Sequence, residues 1–166
     1  MTSEDDIFTA LRAFILTVVP AGVEVLQTQQ NRVPQPKGPG YVMMTAASRT
    51  FQSSSYRDYR PADDEVDVTR STGAGFQLDF YGPASSDYAQ RFATLFRDDH
   101  AFQWFAEMHP GVTPLYCDDG SQMPLTNGEK QYEARWMIQA MLQVNPAVST
   151  PMQFADRVDV TIVEAD

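Results

Sequence analysis

One stretch of the chain, residues 76–99, limits the possible folds more than any other. Phe76, Leu78 and Phe80 alternate with Gln77, Asp79 and Tyr81, and this period of two is typical of a strand with one buried face. A Gly-Pro pair follows at positions 82 and 83 and ends the strand. The chain must therefore build a sheet with one face against a core.

Apolar residues then recur at helical spacing, at Tyr88, Phe92, Leu95 and Phe96. We expect Ser85 or Ser86 to cap this helix. The sequence therefore predicts a helix packed on a sheet, with the other segments arranged around that unit.

Upstream, Ser3 is a good N-cap for a helix that ends at Val19. Short strands are predicted over Val23–Leu26 and Tyr41–Gln52, separated by a proline-rich polar loop, Gln27–Gly40. We expect that loop to project from the body and contact another subunit. Three further predictions cover the next stretch: an irregular segment over 53–61, an acidic turn over 62–65, and a strand from Val66 that continues into residue 76.

A second short helix is predicted after residue 98, with Phe102, Phe105 and Ala106 on its buried side. Turns are expected at Asp118–Gly120 and at Asn127-Gly128, the latter a hairpin signal, and a last strand over Val158–Ile162.

The clearest strand pattern runs from Lys130 to Val144. Trp136 is predicted to lie in the core, whereas Glu133 and Arg135 face outward at an interface or a lumen. Replacing Arg135 by alanine is then expected to change the stability of the isolated subunit little. A strand of this length is either bent by a bulge or extends beyond the domain. Together these elements predict one α+β domain over residues 1–166, with a mostly antiparallel sheet and helices packed on one face.

Charge and composition exclude several classes of protein. The formal net charge of −10 argues against binding nucleic acid by neutralising phosphates, and the single cysteine, Cys117, excludes an internal disulfide framework. No apolar run is long enough to cross a bilayer, and acidic residues stand where an export signal needs basic ones. We therefore expect no membrane association and no export signal.

The sequence contains no recognisable catalytic or cofactor-binding motif. A phosphate-binding glycine loop and paired zinc ligands are both missing from it. Asp98, Asp99 and His100 could hold a metal, as could Asp118 and Asp119, but a helix end and a turn explain them more simply. We predict no catalytic residue, no metal site and no cofactor.

Four blocks in order, 11–45, 77–99, 114–146 and 151–160, resemble the tail-completion or neck-terminator proteins of long-tailed bacteriophages. The resemblance implies a structural virion protein whose subunits form a ring, usually of six. Such a ring caps the head-proximal end of the tail tube, stops tube growth and joins the tail to the head connector. DNA passes through the lumen without specific binding, and assembly takes place in the cytoplasm of the infected bacterium.

Within that framework the predicted subunit-interface residues are Asn31, Arg32, Pro34, Glu133 and Arg135. The predicted lumen-facing acids are Asp63, Asp64, Glu65, Asp118 and Asp119, and the simpler alternative is that these acids are solvated on the outside. Two other functions remain open: another virion part, such as a head–tail stopper or tail-tube protein, and an enzymatic or small-ligand-binding α+β domain.

Overall fold

The computed structural model describes residues 3–29, 36, 38–123, 125–126 and 132–155. The helices in these residues are α1 (Glu4–Val18), α2 (Ser85–Phe96) and α3 (Asp99–Met108), with one 3-10 turn at Pro61–Asp63. The strands are β1 (Glu24–Gln27), β2 (Tyr41–Phe51), β3 (Tyr56–Arg60), β4 (Glu65–Thr69), β5 (Thr72–Tyr81), β6 (Val112–Cys117), β7 (Ser121–Gln122), β8 (Leu125–Thr126), β9 (Tyr132–Glu133), β10 (Arg135–Val144) and β11 (Ala147–Pro151).

The main sheet has the strand order β1-β2-β5-β10-β6, and β7 pairs with β10. Only β1 and β2 run parallel in it; its other pairs are antiparallel. Helix α2 contacts β5, β6 and β10, and α1 contacts both other helices and β1. The predicted α+β fold with a mostly antiparallel sheet is confirmed.

The core lies between this sheet and the helices, and Phe14 of α1 stands at its centre. The Phe14 ring contacts Trp104 at 5.3 Å and Phe105 at 5.2 Å between centroids. On the sheet side, even-numbered positions of β5 and β10 are buried, as the alternation predicted: Ala74, Phe76, Leu78, Phe80, Ile138, Ala140, Leu142 and Val144. Trp136, which was also predicted to lie in the core, packs against it but is only partly buried.

The helix starts differ from each other. At α1, Ser3 and Asp6 form the reciprocal hydrogen bonds of a capping box. At α2 the predicted serine cap is wrong: Ala84 is the N-cap, and the buried Ser85 is already the first helical residue. Gly82, with a positive φ of 103°, makes the turn before it, and a side chain there would collide with the Pro39 carbonyl oxygen.

The buried side of α3 was also predicted only in part. Phe105 is buried as expected, but Ala101 is its buried neighbour, and Phe102 is 54% exposed. Trp104 packs against the core from the edge of the same side. The aromatic residues of α3 leave two possible buried sides, one with Phe102 and one with Trp104. The second side is buried because Phe14 of α1 packs against Trp104 and Phe105.

The long predicted strand is shorter and interrupted. β10 begins at Arg135, and Ala134 separates it from β9. Its pairing with β5 is continuous, whereas its pairing with β6 shifts register between Met141 and Leu142. The extra residue, Leu115, lies on β6, so the bulge predicted for the long strand is not found in β10. The predicted Asn127-Gly128 turn and the strand over 158–162 lie outside the described residues.

The stretch from 53 to 75 departs most from prediction. The segment expected to be irregular contains β3, and the single strand expected from Val66 onward is two strands, β4 and β5. β4 belongs to a second sheet with the order β11-β4-β3, and β11 was not predicted at all.

Candidate functional site

The three strands of the second sheet, β3, β4 and β11, form a projection that we call the arm. The arm continues the main sheet: β4 pairs with β11 in the same register in which β5 pairs with β10. Thr72 pairs with Val144 at the end of the main ladder, and Thr69 pairs with Ala147 at the start of the next. Between them the Arg70 amide donates to the Pro146 carbonyl at 3.3 Å.

One antiparallel ribbon therefore runs from the Tyr81–Arg135 pair to the Glu65–Pro151 pair. At ~3.3 Å per residue it spans roughly 50 Å along the strand path. In the described part of the chain, α2 packs on β5 and β10, and none of the extensive contacts of the helices is with the strands of the arm. The arm therefore leaves the body of the subunit.

One face of the arm is largely apolar. Val66 and Val68 of β4 lie on it, with Tyr59 and Arg57 of β3 on one side and Thr150 and Val148 of β11 on the other. The Tyr59 ring meets Phe154 edge-on at 6.2 Å, and Val66 is 4% exposed beneath this cover. Tyr59 and Val148 remain 50% and 54% exposed. An isolated subunit thus presents apolar surface here, which is typical of an interaction site.

The opposite face of the arm is held by Arg60. Its guanidinium contacts Glu65 at 2.6 Å, Asp67 at 3.0 Å and Asp63 at 3.3 Å. Ser149 of β11 donates a hydrogen bond to Asp67. This hydrogen bond is the largest cause of a lowered pKa of Asp67, and the charge and hydrogen bond of Arg60 lower it further. This network ties all three strands together.

The acids predicted to face a lumen fall into two separate groups. Asp63 and Glu65 at the arm tip are paired with Arg60, whereas the Asp64 carboxylate makes no ion pair with any described residue. Asp119 pairs with Arg97 at 2.8 Å, and Asp118 accepts the Gln139 amide at 2.9 Å. Gln139 and the arm tip are about 40 Å apart along the ribbon, so the structure does not bring the two groups together.

A polar cluster lies on the face of the main sheet that the described helices leave uncovered. Arg135 lies on this face, as predicted, but its side chain is not free. It donates to Asp79 Oδ1 at 2.8 and 3.0 Å, and Gln77 donates to the other carboxylate oxygen at 2.8 Å. The Asp79 side chain is only 5% exposed. Because a buried carboxylate depends on Arg135, the structure favours a larger contribution of Arg135 to the stability of the isolated subunit than the sequence suggested.

Glu133 belongs to the same cluster. Tyr41 stacks on Tyr81 at 4.5 Å, and the Tyr41 hydroxyl donates to Glu133. Burial, and then the negative charge of Glu133, raise the pKa of Tyr41 to about 12. Burial and the neighbouring Asp79 also raise the pKa of Tyr81.

The other predicted interface residues, Asn31, Arg32 and Pro34, lie outside the described residues. The described ends of their loop are attached to the body. Thr28 donates its amide to the Met44 carbonyl at 2.9 Å, and Pro39 lies against Gly82.

Chemical groups for catalysis or metal binding do not converge in the described part of the chain. No three of its His, Cys, Asp and Glu side chains are placed to hold a metal ion. Cys117 is buried, and its burial raises the pKa of the thiol despite the nearby Arg97. None of the described helices is long and apolar enough to span a membrane.

Comparison with known proteins identifies the family. Residues 5–166 match the family of phage neck terminator proteins, which is nearly the whole sequence. The chain belongs to this family. The predicted resemblance is thus confirmed. The match includes the arm as well as the body.

A solved structure supports the fold of this neck terminator independently. The sheath/tube terminator of an extracellular contractile injection system (PVC), in its extended state, superposes with a TM-score of 0.55 at 8% identity. The superposition covers 99% of this chain and 64% of the other chain, so this chain spans less than two thirds of that chain's length. No curated protein sequence matches.

Three features of this neck terminator were missed from its sequence: the arm, the Arg60 network and the Asp79–Arg135 pair. A signal for the network was present, since Arg60 is followed by acids at 63, 65 and 67. Glu65 and Asp67 are two positions apart and therefore lie on the same face of a strand, as the structure shows.

Proposed function

We propose that this neck terminator forms a ring of six copies that caps the head-proximal end of the tail tube. The ring stops polymerisation of the tube and joins the tail to the head connector, and DNA passes through its lumen. It works by contact alone, without a cofactor or turnover, and assembles in the cytoplasm of the infected bacterium. The family match over residues 5–166 carries this proposal.

The arm supplies a means of assembly. A ring requires a heterologous interface, in which one surface of a subunit meets a different surface of the next. The arm presents exposed Tyr59 and Val148 away from the helical core, and burying such apolar area favours association. We assign it to contact between copies, together with the predicted loop residues and Glu133 at the end of the ribbon opposite the arm.

Acidic residues suit a channel through which DNA slides. Carboxylates that face phosphates repel them, and this repulsion weakens with added salt because the Debye length falls. The five candidates are Asp63, Asp64, Glu65, Asp118 and Asp119. Arg60 and Arg97 form ion pairs with some of these acids and offset part of their negative charge. Each group therefore repels DNA less than its number of carboxylates suggests.

The test is to mix the purified chain with its tail-tube protein and measure two quantities. Native mass should show a ring, and electron microscopy should show tubes that stop growing once capped. Uncapped, continuously growing tubes together with a monomeric chain would overturn the proposal. A chain that copolymerises along the tube would instead indicate a tube protein.

Variants of the arm separate folding from assembly. The double variant Tyr59→Ser/Val148→Ser should keep the fold of the monomer but weaken ring formation, because both side chains are already half exposed. Tyr116→Ser is the matched control, since Tyr116 is exposed to a similar extent on β6, outside the arm. If both variants assemble as the wild type does, the arm is not the interface.

A further inference from the structure

The tip of the arm contains an open groove of about 540 Å³. The residues that line it are Asp64, Pro151, Met152, Gln153 and Phe154. The groove is held open by backbone structure: Asp64, at a φ of 52°, accepts the Met152 amide through its carbonyl oxygen at 2.8 Å. Pro151, Met152 and Phe154 give the groove apolar surface, Gln153 adds a polar amide, and Asp64 has no ion pair among the described residues. Such a lining suits a partly apolar peptide that carries positive charge.

We propose that this groove binds residues 30–37 of a second copy of the chain. The proposal rests on the ring proposed above and names the contact that closes it. It takes Asp64 out of the group of acids that face DNA.

Residues 30–37, QNRVPQPK, have the complementary chemistry. They contain Arg32 and Lys37 and no acid, in a chain whose net charge is −10. Val33, Pro34 and Pro36 supply apolar surface. Prolines restrict the free peptide, so less conformational entropy is lost when such a segment is bound.

The segment cannot reach the groove of its own subunit. It is attached at Thr28, which bonds to Met44 opposite Leu78, and at Pro39, which lies against Gly82. Eleven steps between these attachment points allow an excursion of at most ~20 Å out and back. The arm tip is ~40 Å from Leu78 along the path of an extended ribbon, which is about twice this excursion. An extended ribbon therefore keeps the segment from its own groove, and a second copy can bring the two together.

The contact is therefore heterologous, since the loop at one end of the ribbon meets the arm tip at the other. Repeated from copy to copy, such a contact closes into a ring if the rotation allows it. The other candidate occupant is the chain's own continuation, residues 156–166. That segment has four carboxylates and one arginine, so its net charge is of the same sign as Asp64.

Disulfide trapping tests the pairing directly. Val33→Cys and Met152→Cys are made on separate chains, with Cys117 replaced by alanine in both, and mixed under conditions in which the wild type forms rings. Oxidation should yield a covalent dimer containing one chain of each kind. Glu107→Cys, on the exposed end of α3, replaces Met152→Cys in the control mixture and should give at least tenfold less dimer.

The same two cysteines placed on one chain should give a ladder of linked subunits. A monomer with an internal disulfide would overturn the inference, because it would show that the segment reaches its own groove. Absence of both products in rings of normal mass would also overturn it, and would leave the proposed function standing. If the wild type forms rings neither alone nor on tubes, the proposed function fails first and this inference with it.

Charge exchange provides a second measurement. Asp64→Asn keeps a residue that tolerates the left-handed backbone and removes the charge, so ring formation should need about two- to fivefold more protein. Asp58→Asn, an exposed acid of the arm that does not line the groove, should have no such effect. Asp64→Lys should weaken assembly further, and Arg32→Glu in the same chain should restore it in part. A loss of equal size from Asp58→Asn and Asp64→Asn would contradict a specific contact.

Discussion

Replacing Arg135 by alanine should cost the isolated subunit about 3 kcal/mol of unfolding free energy. Asp79 is buried and receives hydrogen bonds from Arg135 at 2.8 and 3.0 Å and one from Gln77 at 2.8 Å. Removal of one partner of a buried ion pair costs ~3–5 kcal/mol, mainly because the other charge is left uncompensated. We take the lower end because Gln77 still donates. For a chain of this size the melting temperature should fall by ~6–12 °C.

The assay is urea unfolding at a protein concentration at which the chain is monomeric, followed by tryptophan fluorescence. In an Asp79→Asn background no charge is stranded, so Arg135→Ala should then cost only about 1 kcal/mol, which leaves a coupling of about 2 kcal/mol. Arg91→Ala is the control, since Arg91 is exposed on α2 and has no ion pair among the described residues. Equal losses from Arg135→Ala in both backgrounds would refute the argument from the buried carboxylate.

Three further predictions concern the core and the stacked tyrosines. Phe14→Ala should cost about 4 kcal/mol by opening a cavity among five aromatic rings, whereas Leu16→Ala on the exposed side of the same helix should cost less than about 1 kcal/mol in urea unfolding. Trp136→Ala should cost about 2–3 kcal/mol, less than Phe14→Ala, because the Trp136 side chain is only partly buried; equal losses would contradict this. Since the pKa of Tyr41 is raised from 10.0 to about 12, the folded protein keeps its proton where the unfolded chain loses it, and stability should fall across this pH range. Tyr41→Phe should flatten that fall and remove the last step of the tyrosinate absorbance titration. Loss of amplitude at about pH 10, with the last step unchanged, would show that Tyr41 ionises normally.

Much of the body could be predicted from sequence because its signals are local. The alternation around Leu78 and the helical spacing around Phe92 each depend on residues within a few positions, and both were confirmed. Asp79 was missed because β5 is a central strand, flanked by β2 and β10. Side chains of these two strands cover the face of β5 that does not meet the helices, and both strands come from distant parts of the sequence. A polar residue at such a position looks solvent-exposed in sequence.

The arm could not be predicted for a related reason. The segment that contains Tyr59 has no alternation between buried and exposed positions, since most of β3 is exposed on both faces. β3 is a strand because it pairs with β4. The residues of β3 alone do not specify that partner or the register of the pairing. The candidate site shares this limitation, because the surface proposed for assembly depends on strand pairing between distant segments of the chain.

The continuity of the arm with β5 and β10 has a mechanical consequence. A neck joint bears tension whenever the head and tail are pulled apart. A pull on the arm tip acts along the same two chains that run through the centre of the main sheet, past Leu78 and Ile138. The backbone hydrogen bonds that join β5 to β2 and β10 to β6 then bear the force as shear. Many of them are loaded at the same time, so they do not break one after another. Force applied at the periphery is thus carried by the best-buried part of the subunit.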